Sequence, residues 1–256
     1  MRNSYIVYII LVFHFSCTNS ETKLFEKLSS FRTGIDFENN LTFKEDFNIF
    51  TYRNYYNGGG VGLGDINNDG LLDIYFTSNL NKNKLYLNKG DFQFEDITDV
   101  AGVGGEKSWS TGVSLADINA DGFLDIYVSN SGDIKGDNKQ NELFINNGDL
   151  TFTEMANEYG LDDKGYSTHA AFFDFDRDGD LDCYLLNNSY KGGFRITSIG
   201  KDQRPVRDEV GGDKLFENDN GKFIDISEEA GIYGSVIGFG LGVTVGDANN
   251  DGWMDI

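Results

Sequence analysis

Four stretches of this chain set oxygen-bearing side chains at a spacing suited to holding a metal ion. Asp65, Asn67, Asp69 and Asp73 stand at positions 1, 3, 5 and 9 of the first stretch, and Asp117, Asn119, Asp121 and Asp125 of the second. Asp174, Asp176, Asp178 and Asp182 fill the same positions in the third, and Asp247, Asn249, Asp251 and Asp255 in the fourth. The shared pattern is D-x-[DN]-x-D-G-x-x-D. Calcium takes about six to eight hard oxygen ligands, and alternate residues of a tight loop turn their side chains toward one centre. Position 7 serves through its backbone carbonyl, which explains why Leu71, Phe123, Asp180 and Trp253 are all tolerated there. The glycine at position 6 supplies a turn with positive φ. Carboxylates this close repel one another unless a cation neutralises them. Magnesium fits less well, because it demands a stricter octahedron and keeps its waters.

Two other readings compete. An Asn/Asp-Gly stretch is also an ordinary turn, but four copies that keep Asp at positions 1, 5 and 9 favour metal. An EF-hand needs a bidentate Glu at position 12, where this chain has Phe76, Val128 and Leu185. The residues after each loop, such as Leu72-Asp73-Ile74-Tyr75-Phe76, read as a strand and not a helix.

The loops sit inside a longer repeat, and that repeat predicts the elements that must position them. Each loop follows a run of small and apolar residues: 58–64, 110–116, 167–173 and 240–246. An apolar strand then ends at Asn79, Asn130 or Asn187. A third strand follows at 84–88, 142–146 and 214–218, a turn carries Gly90, Gly148 or Gly221, and a fourth strand begins at Phe94, Phe152 or Phe223. The tails Ala101-Gly102-Val103, Tyr159-Gly160-Leu161 and Ala230-Gly231-Ile232 repeat as well. The loops recur at spacings of 52, 57 and 73 residues. Four-stranded units at such periods predict an all-β propeller. Residues 51–256 then supply three whole blades and part of a fourth, an incomplete ring truncated at its C-terminal side. The small residues of each first strand suit the narrow central channel. Within residues 18–50, Phe25-Glu26-Lys27-Leu28 and Gly34-Ile35 echo the fourth-strand pattern, predicting a tether that ends in a ring-closing outer strand.

The blade motif G-V-x-L-[AG]-D-[IV]-N-x-D-G-x-x-D-I-Y resembles the FG-GAP/VCBS repeat, found in the calcium-binding β-propeller of integrin α-subunits and in many secreted bacterial proteins. Its N-x-L-[YF]-x-N-x-G-x-F-x-[DE] continuation is similar to the bacterial group that often carries a C-terminal ASPIC/UnbV domain, a domain not found in this sequence. The resemblance covers roughly residues 24–256. It implies about seven blades, extracellular placement, about one calcium ion per loop and ligand binding on a propeller face. The Phe-Gly dipeptide and Gly-Ala-Pro tripeptide of the family's name are largely missing, with only Phe239-Gly240 present.

Composition and the N-terminus bound the function. The chain has 256 residues, 32 glycines, one proline and a formal charge of −21, which argues against nucleic acid, whose binders carry basic patches. A third of its 42 acidic residues lie in the four loops, so the charge is largely a metal-site signature. Residues 1–17 read as a lipoprotein signal peptide. Arg2 gives the positive n-region, Tyr5–Phe15 is an apolar run too short for an ordinary membrane span, and Cys17 is the residue to be lipidated, although His14 stands where the usual pattern has an aliphatic residue. This predicts an extracytoplasmic protein anchored at a bacterial outer membrane, where millimolar calcium fills even weak sites. Cys183 then lacks a disulfide partner and reads as a small buried residue.

His169 takes the place of Gly60, Gly112 and Gly242 in the other repeats and has no evident catalytic or zinc-binding companions. Trp109, Tyr166 and Phe239 precede three loops at equivalent positions, as a binding rim or as packing. The insertion 188–212 holds Lys191, Arg195, Lys201, Arg204 and Arg207 beside Pro205, as an anion site or as a solvated loop. No catalytic constellation is visible. The expected role is a calcium-binding module for protein or glycan ligands at the cell envelope. The alternative is a polysaccharide lyase or hydrolase on a calcium propeller.

Overall fold

The computed structural model describes residues 24–132, 138–189, 203 and 205–256. The signal segment with Cys17, and the basic residues Lys191, Arg195, Lys201 and Arg204, lie outside the described residues. Three four-stranded antiparallel sheets follow one another along the chain. The first contains β1 (Val61–Gly64), β2 (Asp73–Phe76), β3 (Lys84–Asn88) and β4 (Phe94–Asp96). The second contains β5 (Ser110–Ala116), β6 (Asp125–Asn130), β7 (Glu142–Asn146) and β8 (Phe152–Glu154). The third contains β9 (Ser167–Phe173), β10 (Asp182–Asn187), β11 (Lys214–Asn218) and β12 (Phe223–Asp225). Within each sheet the strands pair in chain order. These are the three expected blades of an incomplete β-propeller. The fourth begins as a single bridge between Gly246 and Asp255, the counterpart of the pairs Gly64–Asp73, Ala116–Asp125 and Phe173–Asp182.

The apolar cores form between blades. Tyr75, Leu85, Ile97 and Val103 of the first blade bury against Val113, Ile126, Val128 and Phe144 of the second. Tyr127, Leu143 and Leu161 of the second bury against Ala170, Leu185, Phe216 and Cys183 of the third. Cys183 is a free, fully buried thiol, and burial pushes its pKa up. The buried tyrosine hydroxyls stay paired, Tyr75 donating to Val103 O at 2.6 Å and Tyr127 to Leu161 O at 3.1 Å, as buried polar groups must.

The first strands β1, β5 and β9 lie side by side at the inner edge, where hydroxyls stitch the blades together. Thr111 Oγ1 donates to Ser167 O at 2.8 Å, Ser114 Oγ to Ala170 O at 2.6 Å, and Thr168 Oγ1 to Gly240 O at 3.0 Å. A glycine is needed at the seam itself: a Cβ on Gly112 would come within 2.4 Å of Thr168 O.

Short helical turns follow the fourth strands at Thr98–Ala101 (α2) and Ala156–Tyr159 (α3), each closed by a left-handed glycine, Gly102 or Gly160. The N-terminal segment builds the same device at Ser30–Thr33 (α1), closed by Gly34 at φ 76°. Gly34 seats against Phe94 O of the first blade as Gly160 seats against Phe223 O of the third. Phe25–Leu28, read from sequence as an outer strand, pairs with no strand among the described residues, and Phe25 is exposed.

Gly112→Ala should lower the melting temperature by the equivalent of about 1–3 kcal/mol, because the added methyl meets backbone across the seam. Gly242→Ala, at the equivalent place in the fourth repeat with open space around it, should stay within about 0.5 kcal/mol of the parent. Paired thermal melts check both.

Candidate metal centre

Each acidic loop is a closed turn whose carboxylates first satisfy its own backbone. In the first loop Asp65 accepts Asp69 N–H at 3.1 Å and Gly70 N–H at 2.7 Å, and Asp69 accepts Leu71 N–H at 2.8 Å. The second loop repeats these bonds through Asp117 and Asp121, and the fourth through Asp247 and Asp251. Position 6 is the expected left-handed glycine, with φ of 86°, 93°, 102° and 85°. Position 4 is left-handed too: Asn68, Ala120, Arg177 and Asn250 have φ of 59°, 56°, 67° and 61°. Asn and Asp enter this region readily, but Ala and Arg do so against local preference.

The position-9 aspartates differ from the rest. Asp73, Asp125 and Asp182 are buried, and each takes two backbone donors. One comes from position 2 of the loop: Ile66 N–H at 3.0 Å, Ile118 at 2.9 Å or Phe175 at 2.9 Å. The other comes from the end of the third strand: Asn88 N–H at 2.8 Å, Asn146 at 2.8 Å or Asn218 at 2.9 Å. Burial raises the carboxyl of Asp73, and raises those of Asp125 and Asp182 to about 6, with the two N–H donors acting in the opposite direction. Asp255 accepts Ala248 N–H at 2.8 Å and is exposed.

Asn88, Asn146 and Asn218 are residues to which sequence reasoning gave no role. Besides the main-chain bond, each donates its side-chain amide to the position-8 carbonyl, Leu72 O at 2.8 Å, Leu124 O at 3.1 Å and Leu181 O at 3.2 Å. Each also accepts the N–H of the following turn glycine, Gly90, Gly148 or Gly221. The signal was present in the Asn that closes every third strand.

The third loop is the most crowded. Oxygens of Asp174, Asp176 and Asp182 all lie within 4.8 Å of one another. In the other loops the position-3 asparagine donates to the position-5 carboxylate, as Asn67 Nδ2 does to Asp69 at 3.0 Å. Asp176 has no such donor to offer. Asp180 adds a further carboxyl; burial raises it first, then the neighbouring Asp178 and Asp176 charges. Its Oδ1 is buried without a hydrogen-bond partner. At about 5 Å a pair of like charges costs about 1 kcal/mol in water and about 3 kcal/mol at an effective dielectric of 20. An all-oxygen donor set with an orphaned carboxylate oxygen therefore fits a hard divalent cation.

The other candidates divide. His169 is half-buried, with its pKa lowered by burial, and lines a cavity of about 360 Å³ with Tyr52, Trp109, Thr111 and Thr168. Its Nδ1 is packed where a Cβ on Gly112 would reach it. Trp109, Tyr166 and Phe239 are packing positions, but their partners are not simply the adjacent blades. Trp109 is 2 % exposed beneath Phe47, Tyr52 and Tyr55, with ring centroids 4.9–5.3 Å away. Lys139 lies 4.0 Å over Tyr166, and Arg53 lies 4.1 Å over Phe239. Arg207 of the basic insertion braces its own chain, donating to Asp213 O at 3.1 Å and Ile232 O at 3.4 Å.

The comparisons agree with this architecture. The model of the FG-GAP-like repeat matches residues 65–128 and 131–185, so the chain carries FG-GAP-like repeats. Cartilage acidic protein 1 of Xenopus tropicalis is 30% identical over 212 residues, which cover 79% of this chain and 29% of that protein. Its Homo sapiens counterpart is 28% identical over 203 residues, covering 79% and 28%. The chain thus spans less than a third of the length of these relatives. A solved structure of an Agrocybe aegerita lectin that recognises non-reducing terminal N-acetylglucosamine matches 64% of this chain and 36% of its own, at 19% identity and a TM-score of 0.32, too loose a likeness to carry an argument.

Asp125→Asn should lower stability by about 1–3 kcal/mol even in chelator, because the amide leaves one of two buried N–H donors facing another donor. Asp121→Asn, on the exposed side of the same loop, should leave the chelated protein within about 0.5 kcal/mol of the parent. Denaturant unfolding in excess chelator measures the difference.

Proposed function

We propose that this FG-GAP-like repeat protein is a calcium-stabilised binding module, presenting a propeller face to protein or glycan ligands outside the cytoplasm and tethered to the envelope through a lipid on Cys17. The observation that carries the calcium part is the third loop, where oxygens of Asp174, Asp176 and Asp182 lie within 4.8 Å of one another and a buried oxygen of the adjoining Asp180 has no hydrogen-bond partner. The holding residues are the aspartates and asparagines at positions 1, 3, 5 and 9 of all four loops, with the position-7 carbonyl beside them. A calcium ion, when bound, supplies the positive charge that lets these carboxylates stay ionised side by side. Extracellular calcium concentrations suit such loops, and magnesium's stricter octahedron does not.

The binding part is supported by the repeats themselves, which suggest an adhesion-type module, and by the layout of the chain. The metal loops occupy one end of the blades. The described ends of the connections between second and third strands, the most variable segments in length, lie at the other end with the N-terminal aromatic cluster. Variable loops on a fixed scaffold are where recognition usually resides.

The test is an array of extracellular proteins and polysaccharides probed in millimolar calcium and again in chelator. The expected result is a retained ligand, released by chelator and chemically unchanged. Depolymerisation of an arrayed polysaccharide, or no retained ligand in calcium, contradicts the reading.

A further inference from the structure

The four acidic loops are not independent turns. At two of the three boundaries, position 4 of one loop reaches position 6 or 7 of the next. Asn68 Nδ2 of the first loop donates to Gly122 O of the second at 3.0 Å. Arg177 of the third loop lays its guanidinium 4.1 Å over the ring of Trp253 in the fourth. The contact is fitted: Gly252 sits at φ 85°, and a Cβ there would come within 2.6 Å of Arg177 Nη2. Between the second and third loops the link is broken. Ala120 carries only a methyl group, too short to reach across, and nothing lies within 4 Å of a Cβ built on Gly179.

The third loop also holds the base of the arginine. Arg177 N–H donates to Asp174 Oδ1 at 2.6 Å, a bond that in the other three loops is made by the position-5 residue. The left-handed turn at position 4 is common to all four loops; in the third the position-1 aspartate holds its N–H directly, and the side chain leaving that turn lays its guanidinium across the blade boundary. At the far side, Trp253 is the position-7 residue whose carbonyl faces the cation in the repeat pattern. Its N–H is already held by Asp251 Oδ1 at 2.8 Å, so a ring clamped from outside fixes the Gly252–Trp253 peptide from both sides.

We propose that Arg177 is a positioning residue for the neighbouring metal loop: the third loop, through Asp174 and Arg177, orders Trp253 and so raises the cation affinity of the fourth. This rests on the calcium reading above. Two effects of Arg177 oppose each other, since its positive charge repels a cation while its stacking pre-orders the loop. The charge is exposed to solvent, and salt weakens its repulsion only partly at separations inside the Debye length of about 8 Å. The stacking is a short-range contact that salt leaves intact, so the balance shifts toward positioning as salt rises.

The chain carries its own reporter. Of its two tryptophans, Trp253 lies in the fourth loop, while Trp109 lies at the end of β5 away from its loop. Terbium, an oxygen-seeking calcium surrogate, luminesces when excited through a nearby indole, so tryptophan-sensitised emission follows the fourth loop while calorimetry counts all sites. In the full chain at physiological salt, Arg177→Ala should raise the terbium concentration needed for half-maximal emission by about two- to fivefold, the range of an exposed cation–π contact. The number of calorimetric sites should not change. Arg177→Lys, which keeps the charge and loses the planar stack, should recover less than half of the effect. An unchanged or lower midpoint in Arg177→Ala overturns the proposal while leaving the calcium reading intact. The absence of any terbium or calcium binding by the parent overturns both.

Discussion

One buried carboxylate per blade ties this architecture together. Asp73, Asp125 and Asp182 each stand where the acidic loop, the second strand and the third strand meet, and each spends its two oxygens on backbone N–H groups from the loop and from the third strand. Leaving such a buried donor unpaired costs about 1–3 kcal/mol. The same atom group thus fixes the loop's exit and the strand register and, under the calcium reading, would form one wall of the metal site. A change to it should then disturb blade geometry and cation affinity together.

The remaining features follow from stacking blades around an inner edge. Because the apolar cores form between sheets, each blade is stable only against a neighbour, the behaviour expected of repeat proteins. The first strands approach closely enough that a side chain on Gly112 would collide with Thr168 O, and threonine and serine hydroxyls bridge the seam. The loops at one end of these strands are linked in two pairs, with Asn68 of the first reaching the second and Arg177 of the third reaching the fourth. Packing and seam join the blades, and a third of the chain's acidic residues lie in the four loops.

Much of this was legible in the sequence because the repeat reports the same information several times. Strand positions, the order of strands within a blade, the glycine at position 6 and the buried place of Cys183 all follow from comparing copies. What was not legible lies where the copies differ or where no copy exists. Residues 41–56 have no counterpart elsewhere in the chain, so their cover over Trp109 and the reach of Arg53 to Phe239 left no periodic signal. Position 4 varies among Asn, Ala and Arg, and its left-handed turn is visible only in the backbone. The asparagines that close the third strands were visible as letters, but their three-way hydrogen bonding depends on a register that only the fold reveals.

The central claim is that calcium occupies these loops and holds the blades together. The most direct measurement is thermal unfolding in millimolar calcium, in millimolar magnesium and in excess chelator. A ligand that binds only the folded state stabilises it by about 2.7 kcal/mol at a hundredfold excess over its dissociation constant. The account predicts a melting temperature raised by several degrees in calcium, little changed in magnesium, and lowest in chelator. One cooperative melt at the same temperature in all three conditions would show that the loops are ordinary turns and would contradict the account.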